Sequence, residues 1–90
     1  DALVDKARRE SRGSLWLEQK LTERKLDSSR IDLGCRAIEK EEHQLAQQAI
    51  SARYQPPWSV AVLRRASQYL GRRGFQPDTI EAVLTAVAES

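Results

Sequence analysis

The chain has no methionine, one cysteine, one histidine and one phenylalanine among its 90 residues. A lone cysteine cannot close an internal disulfide, which suits a reducing cytoplasm. One cysteine and one histidine are too few good ligands for a metal centre. Cys35 as a nucleophile would need an adjacent base, and His43 falls on a different predicted helix, next to Glu41 and Glu42. Glycine-rich phosphate loops are absent, and no carboxylate lies in an apolar setting that would suit it to acid–base work. No catalytic residue, metal or cofactor is therefore expected. No run approaches the ~20 apolar residues of a membrane span, and no basic-then-apolar leader is present. With no methionine and an aspartate at position 1, the chain reads as a piece of a longer protein.

Aliphatic residues, Ala, Glu, Gln, Lys and Arg dominate, which favours helix over strand. The net charge of +2 is unevenly laid out. Residues 1–42 balance acids against bases. Residues 43–77 hold Arg53, Arg64, Arg65, Arg72 and Arg73 with no acid, and residues 78–90 hold Asp78, Glu81 and Glu89 with no base. The middle block is the basic surface, of a kind that attracts phosphates or an acidic protein groove.

Apolar spacing predicts six helical segments. Residues 2–11 read as the end of a helix, broken at Gly13. Ser14 is placed to cap a helix over about 15–24, with Leu17 and Leu21 inside and Leu15 and Trp16 off that stripe. Asp27 is placed to cap a helix over 28–40 with Ile31, Cys35 and Ile38 inward. Glu41 and Glu42 open the next, where carboxylates suit the positive end of the dipole, and Leu45, Ala46, Ala49 and Ile50 are its core. Pro56-Pro57 ends it, and Pro57 is acceptable as the first residue of the following helix, whose core face is Leu63, Ala66 and Leu70. Gly74 suits the left-handed residue after that helix, Phe75 folds back, and Pro77 starts a last helix with Ile80, Val83, Leu84 and Val87 inward.

A shift of forty-nine residues lays Leu17 on Ala66, Leu21 on Leu70, Arg24 on Arg73, Leu26 on Phe75, Ile31 on Ile80 and Cys35 on Leu84. A fixed period of this length suggests an array of helical units. The expectation is an all-α fold of tandem three-helix repeats in a right-angled array, incomplete over 1–40 and complete over 41–90. Lys25 takes the place of Gly74, so the same turn would put it in a left-handed conformation at roughly 1 kcal/mol.

The phrase Arg65-Ala66-Ser67-Gln68-Tyr69-Leu70-Gly71-Arg72-Arg73-Gly74-Phe75, followed by Ile80, resembles the last repeat of the RecX family, bacterial regulators of the RecA recombinase. Gly13 to Leu26 looks like the family's middle repeat, and Glu41 to Tyr54 is similar to the opening helix of the last one. The chain departs from the pattern at Lys25, where the family usually has glycine, and at Leu26, where it usually has isoleucine. The family's first repeat and the Asp-Asp start of its middle repeat have no counterpart in this sequence. The resemblance implies an arc of three-helix repeats; a cytoplasmic monomer is expected. Such an arc lies in the groove of a RecA-type recombinase filament on DNA and restrains its ATPase and strand exchange, modulating recombination and DNA repair. It implies no catalysis by the regulator itself.

Arg64, Arg65, Arg72 and Arg73 are the first candidates for contact with DNA phosphates, single- or double-stranded, or with acidic recombinase side chains, because arginine pairs bidentately with both. Arg8, Arg9 and Arg12 form a second candidate patch. The plainer reading of each is a solvated helix face, with dipole-favouring arginines at the helix end. Trp16 and Trp58 are either interface anchors or packing residues, and Tyr69 is expected half-buried. Two rivals remain. One is a general DNA-binding module over 57–87, whose would-be recognition helix is acidic and ill-suited to a major groove. The other is a helical protein-interaction domain with no nucleic-acid contact.

Overall fold

The computed structural model describes residues 2–89, and every secondary-structure element among them is a helix. The order is α1 (Ala2–Glu10), α2 (Ser14–Glu23), α3 (Ser28–Glu39), α4 (Glu42–Arg53), α5 (Val60–Arg72) and α6 (Pro77–Ala88). Within α1–α3 each helix touches the other two, and the same holds within α4–α6. The two triples lie end to end in a body of 43 × 19 × 17 Å. They share one continuous core that runs from Leu3, Val4 and Ala7 through Leu17, Leu21 and Ile38 to Leu45, Ile50, Leu70, Phe75 and Val83.

From the ends of α2 and α5 onward the backbone follows the forty-nine-residue correspondence, while the starts of α2 and α5 do not match and α1 does not map onto α4. The ends of α3, Ser28 and Glu39, map onto those of α6, Pro77 and Ala88. Lys25 and Gly74 both take left-handed φ, +60° and +86°. In each turn the left-handed residue's N–H bonds three residues back (Lys25 to Thr22, Gly74 to Gly71). The next N–H bonds five back (Leu26 to Leu21, Phe75 to Leu70). This is the Schellman helix ending. It occurs a third time at the end of α1, with Ser11 at φ +52° and Arg12 N–H on the Ala7 carbonyl. The strain expected at Lys25 is therefore real, and Ser11 carries the same.

The structure corrects two helix starts. Ser14 does not cap α2 with its hydroxyl: Gly13 is the capping position, and no side chain of its own accepts there. The N–H of Ser14 is instead taken by Glu42, far along the chain. Pro57 does not open α5, which begins at Val60 with the Ser59 hydroxyl accepting from Val62 N–H. Residues 54–59 form an irregular link. Asp27 does cap α3, accepting from Arg30 N–H at 2.9 Å, and Pro77 does lie at the start of α6.

Candidate partner-binding surface

The junction between the triples positions everything on the basic surface. Two turns, α1–α2 and α5–α6, meet backbone to backbone: Gly13 N–H donates to the Arg73 carbonyl and Leu15 N–H to that of Gly74, both at 2.9 Å. Glycine is required on both sides. A Cβ at Gly13 would stand 2.3 Å from the Gly74 carbonyl oxygen, and one at Gly74 would stand 2.4 Å from Trp16. Trp16 is thus a junction residue, half-buried, with the Arg12 guanidinium 5.5 Å from its ring centre.

Glu42 is the hub of this junction, and sequence reasoning missed its role. It is only 3% exposed. Its Oε1 accepts from Ser14 N–H (2.8 Å), and its Oε2 accepts from Gln76 N–H (3.0 Å) and from the Thr79 hydroxyl (2.8 Å). The N-terminal ends of α2 and α6 point their partial positive charge at one buried carboxylate, carried by the first residue of α4. The charge has no cationic partner among the described residues. Oriented donors take the place of water around it, which is what makes burial tolerable. Gln76 completes the knot by donating its side-chain amide to Ser14 Oγ at 2.9 Å. The one available signal was a Glu at the first position of a helix; nothing local said which other helices it would cap.

The predicted arginines separate into two groups. Arg73 is committed inside the molecule: its guanidinium donates to the carbonyls of Ser11 (3.1 Å) and Glu10, closing the C-terminal end of α1. Arg8 pairs with Glu41 at 2.8 Å and Asp5 at 3.4 Å, and Arg12 with Glu10 at 3.3 Å. Arg64, Arg65, Arg72 and Arg9 are exposed and make no ion pair among the described residues. On α5, Arg65, Tyr69 and Arg72 recur at i, i+4 and i+7, which places them along one edge of the helix, and Arg64 lies on its solvent back. Tyr69 is half-buried, as expected. The Arg53 guanidinium lies 4.8 Å from the Tyr69 ring centre, that of Arg73 lies 5.4 Å away, and Tyr54 meets the ring edge-on at 6.0 Å. Arg53 therefore joins the α5 row, although it was not among the predicted site residues.

Such an edge presents several guanidinium forks on a rigid helix with no acid nearby in sequence, and it can hold phosphates or carboxylates. The Cys35 thiol is pushed above its ordinary range, first by burial and then by the negative charges of Glu18, Glu39, Asp32 and Glu42. It is a packing residue whose Sγ faces the Ser14 carbonyl at 3.8 Å. Among the described residues no group of histidine, cysteine and carboxylate side chains could hold a metal ion. No helix among them is long and apolar enough to cross a membrane. No family model, curated protein or solved structure matches the chain.

Proposed function

We propose that this chain is a non-enzymatic, RecX-like regulator that binds a RecA-type recombinase filament on DNA in the cytoplasm and restrains its ATPase and strand exchange. The observation that carries the reading is the exposed edge of Arg65 and Arg72 on α5, with Arg53 beside it and Arg64 on the helix's solvent back, none of them in an ion pair among the described residues. Elsewhere Lys6, Arg8, Arg12, Lys20 and Arg36 face an acid of this chain; Arg9, Arg24, Lys25, Arg30 and Lys40 make no ion pair among the described residues, but they stand in the segment 1–42, where acids equal bases in number. An acid-free row left unanswered within the chain is available to an anionic partner, and a nucleoprotein filament is one. The rod-like outline, more than twice as long as it is wide, suits a molecule that lies along a groove. The Arg-Arg-Gly-Phe phrase supplies the family expectation. A general DNA-binding module reading α6 into a major groove is disfavoured, because the exposed Asp78 and Glu81 would meet phosphate repulsion.

The test is the single-stranded-DNA-dependent ATPase of a RecA-type recombinase, titrated with this chain, with bare-DNA binding measured at the same salt. The reading expects inhibition at concentrations that leave bare DNA uncoated. Reversing Arg64, Arg65 and Arg72 together to Glu should raise the inhibitory concentration more than tenfold without loss of helicity, since each charge-assisted contact is worth ~1.5–3 kcal/mol. Arg73 is left intact because it holds α1. No inhibition by the unaltered chain refutes the reading.

A further inference from the structure

The opposite edge of α5 carries a different feature. Between α5 and α6, closed at one end by Leu15 of α2, runs an open groove of about 590 Å³ lined by Leu15, Gly71, Phe75, Ile80, Leu84 and Glu81 among others. Leu15 is 44% exposed there, and Gly71 has nothing within 4 Å of where a Cβ would stand. The first triple provides an internal comparison, because the same places recur forty-nine residues earlier. Ser67 and Gly71 correspond to Glu18 and Thr22, and Glu81 and Thr85 correspond to Asp32 and Arg36. In the first triple the acid is answered within its own helix, Asp32 by Arg36 at 3.3 Å. In the second the residue four after Glu81 is Thr85, so Glu81 stands exposed on the groove rim with no ion pair among the described residues. The floor is apolar in both triples, since Leu26, Ile31 and Cys35 match Phe75, Ile80 and Leu84, but only the second combines it with the small Ser67 and Gly71 and with an acid that has no ion pair among the described residues.

We propose that this groove docks an amphipathic helix of a protein partner, with its apolar stripe on Leu15, Ile80 and Leu84 and a lysine or arginine on the flank that meets Glu81. Charge decides the class of occupant. Helix α6 and its cap carry Asp78, Glu81 and Glu89 and no base, so a basic flank laid along that wall is attracted; Arg64, which shares a helical face with Ser67 and Gly71, stands on the α5 side, and the apolar floor between favours leucines over phosphates. The smallness of Ser67 and Gly71 leaves room for the occupant's side chains, which is how a helix seats in a groove. The groove lies on the other side of α5 from Arg65, Tyr69 and Arg72, with Arg64 between the two, and it needs neither phosphate nor recombinase to be tested.

The probes are two labelled helical peptides with leucines at i, i+3, i+4 and i+7, one with lysines along one flank and one with glutamates there. Binding is read by fluorescence anisotropy. The lysine peptide should bind in the micromolar range and the glutamate peptide at least tenfold more weakly. Gly71→Arg fills open space, so the fold should survive and binding should be lost. Glu81→Gln should bring the two peptides together in affinity, and Thr22→Arg, at the matching place in the first triple, should change nothing. Failure of the lysine peptide to saturate at millimolar concentration overturns the proposal. So does binding that ignores the flank charge or survives Gly71→Arg. Displacement by an oligonucleotide or by anionic vesicles, or self-association of the chain that Gly71→Arg abolishes, would overturn it by naming another occupant.

Discussion

Removing the carboxylate at position 42 tests the junction most directly. Glu42→Ala deletes three hydrogen bonds and leaves two backbone donors, Ser14 N–H and Gln76 N–H, without their acceptor. Ser14 is 2% exposed, so water reaches its N–H only if the junction opens. A buried donor left unsatisfied costs ~1–3 kcal/mol, and hydrogen bonds to a charged group run to the upper part of that range. The lost N-caps of α2 and α6 lie within the same sum, at ~1 kcal/mol each by ordinary capping measurements. The expected loss is about 3–5 kcal/mol, against a total of ~5–13 kcal/mol for a chain of this length. Glu42→Gln keeps one acceptor oxygen and turns an amide N–H₂ toward the other donors, so it should lose about 2–3 kcal/mol. Glu41→Ala is the control: Glu41 is half-buried and pairs only with the partly exposed Arg8, so its loss should stay below ~1 kcal/mol. The assay is denaturant unfolding followed by helical circular dichroism, with the slope checked for constancy across variants. A Glu42→Ala loss under ~1 kcal/mol would refute the account, because three donors at such distances cannot be orphaned so cheaply.

Phe75→Ala should cost ~3–5 kcal/mol in the same assay, because the ring is 1% exposed and follows the left-handed turn into the core; a change near zero would mean the turn does not dock. Lys25→Gly should stabilise by about 0.5–1 kcal/mol, since the residue holds φ +60° while its side chain is exposed; destabilisation would show that the lysine side chain makes up for the strain. Cys35 should react with a disulfide reagent far more slowly in the native chain than in denaturant at mildly alkaline pH, because its thiol is pushed up by burial and nearby carboxylates. The sign for stability follows: the raised native value favours the protonated thiol. This contribution is full below the unfolded-state thiol pKa and falls away as pH rises through the folded one. Equal labelling rates in both states would contradict the burial.

Periodicity made the helices legible, because an apolar stripe every three to four residues has to face something whatever that something is. It also placed the core residues Leu17, Leu21, Ile38, Leu45, Ala46, Ile50, Ala66, Leu70 and Phe75, all of which are buried. Turn chemistry was equally readable: Gly74 and its match at Lys25 announced the left-handed helix endings, and Asp27 its cap. Those signals lie within a few residues of the structure they specify. The errors at Ser14 and Pro57 come from the same short range. Both residues have the right chemistry for a helix start, and tertiary packing chose other solutions.

Of the candidate surface, the sequence determined which segment is basic, since a block of residues without an acid stays basic in any fold. It could not sort those arginines. Arg72 and Arg73 are adjacent in sequence and alike in chemistry, yet one is in solvent and the other closes α1 from sixty-odd residues away. The same holds for Glu42, which looked like an ordinary first-turn carboxylate until the ends of α2 and α6 were brought together around it. Local composition fixes the helices and the net charge because those depend on neighbours in the chain. Only the tertiary structure decides which charged groups are consumed holding the triples together and which are left for a partner. That choice depends on distances between residues the sequence does not relate.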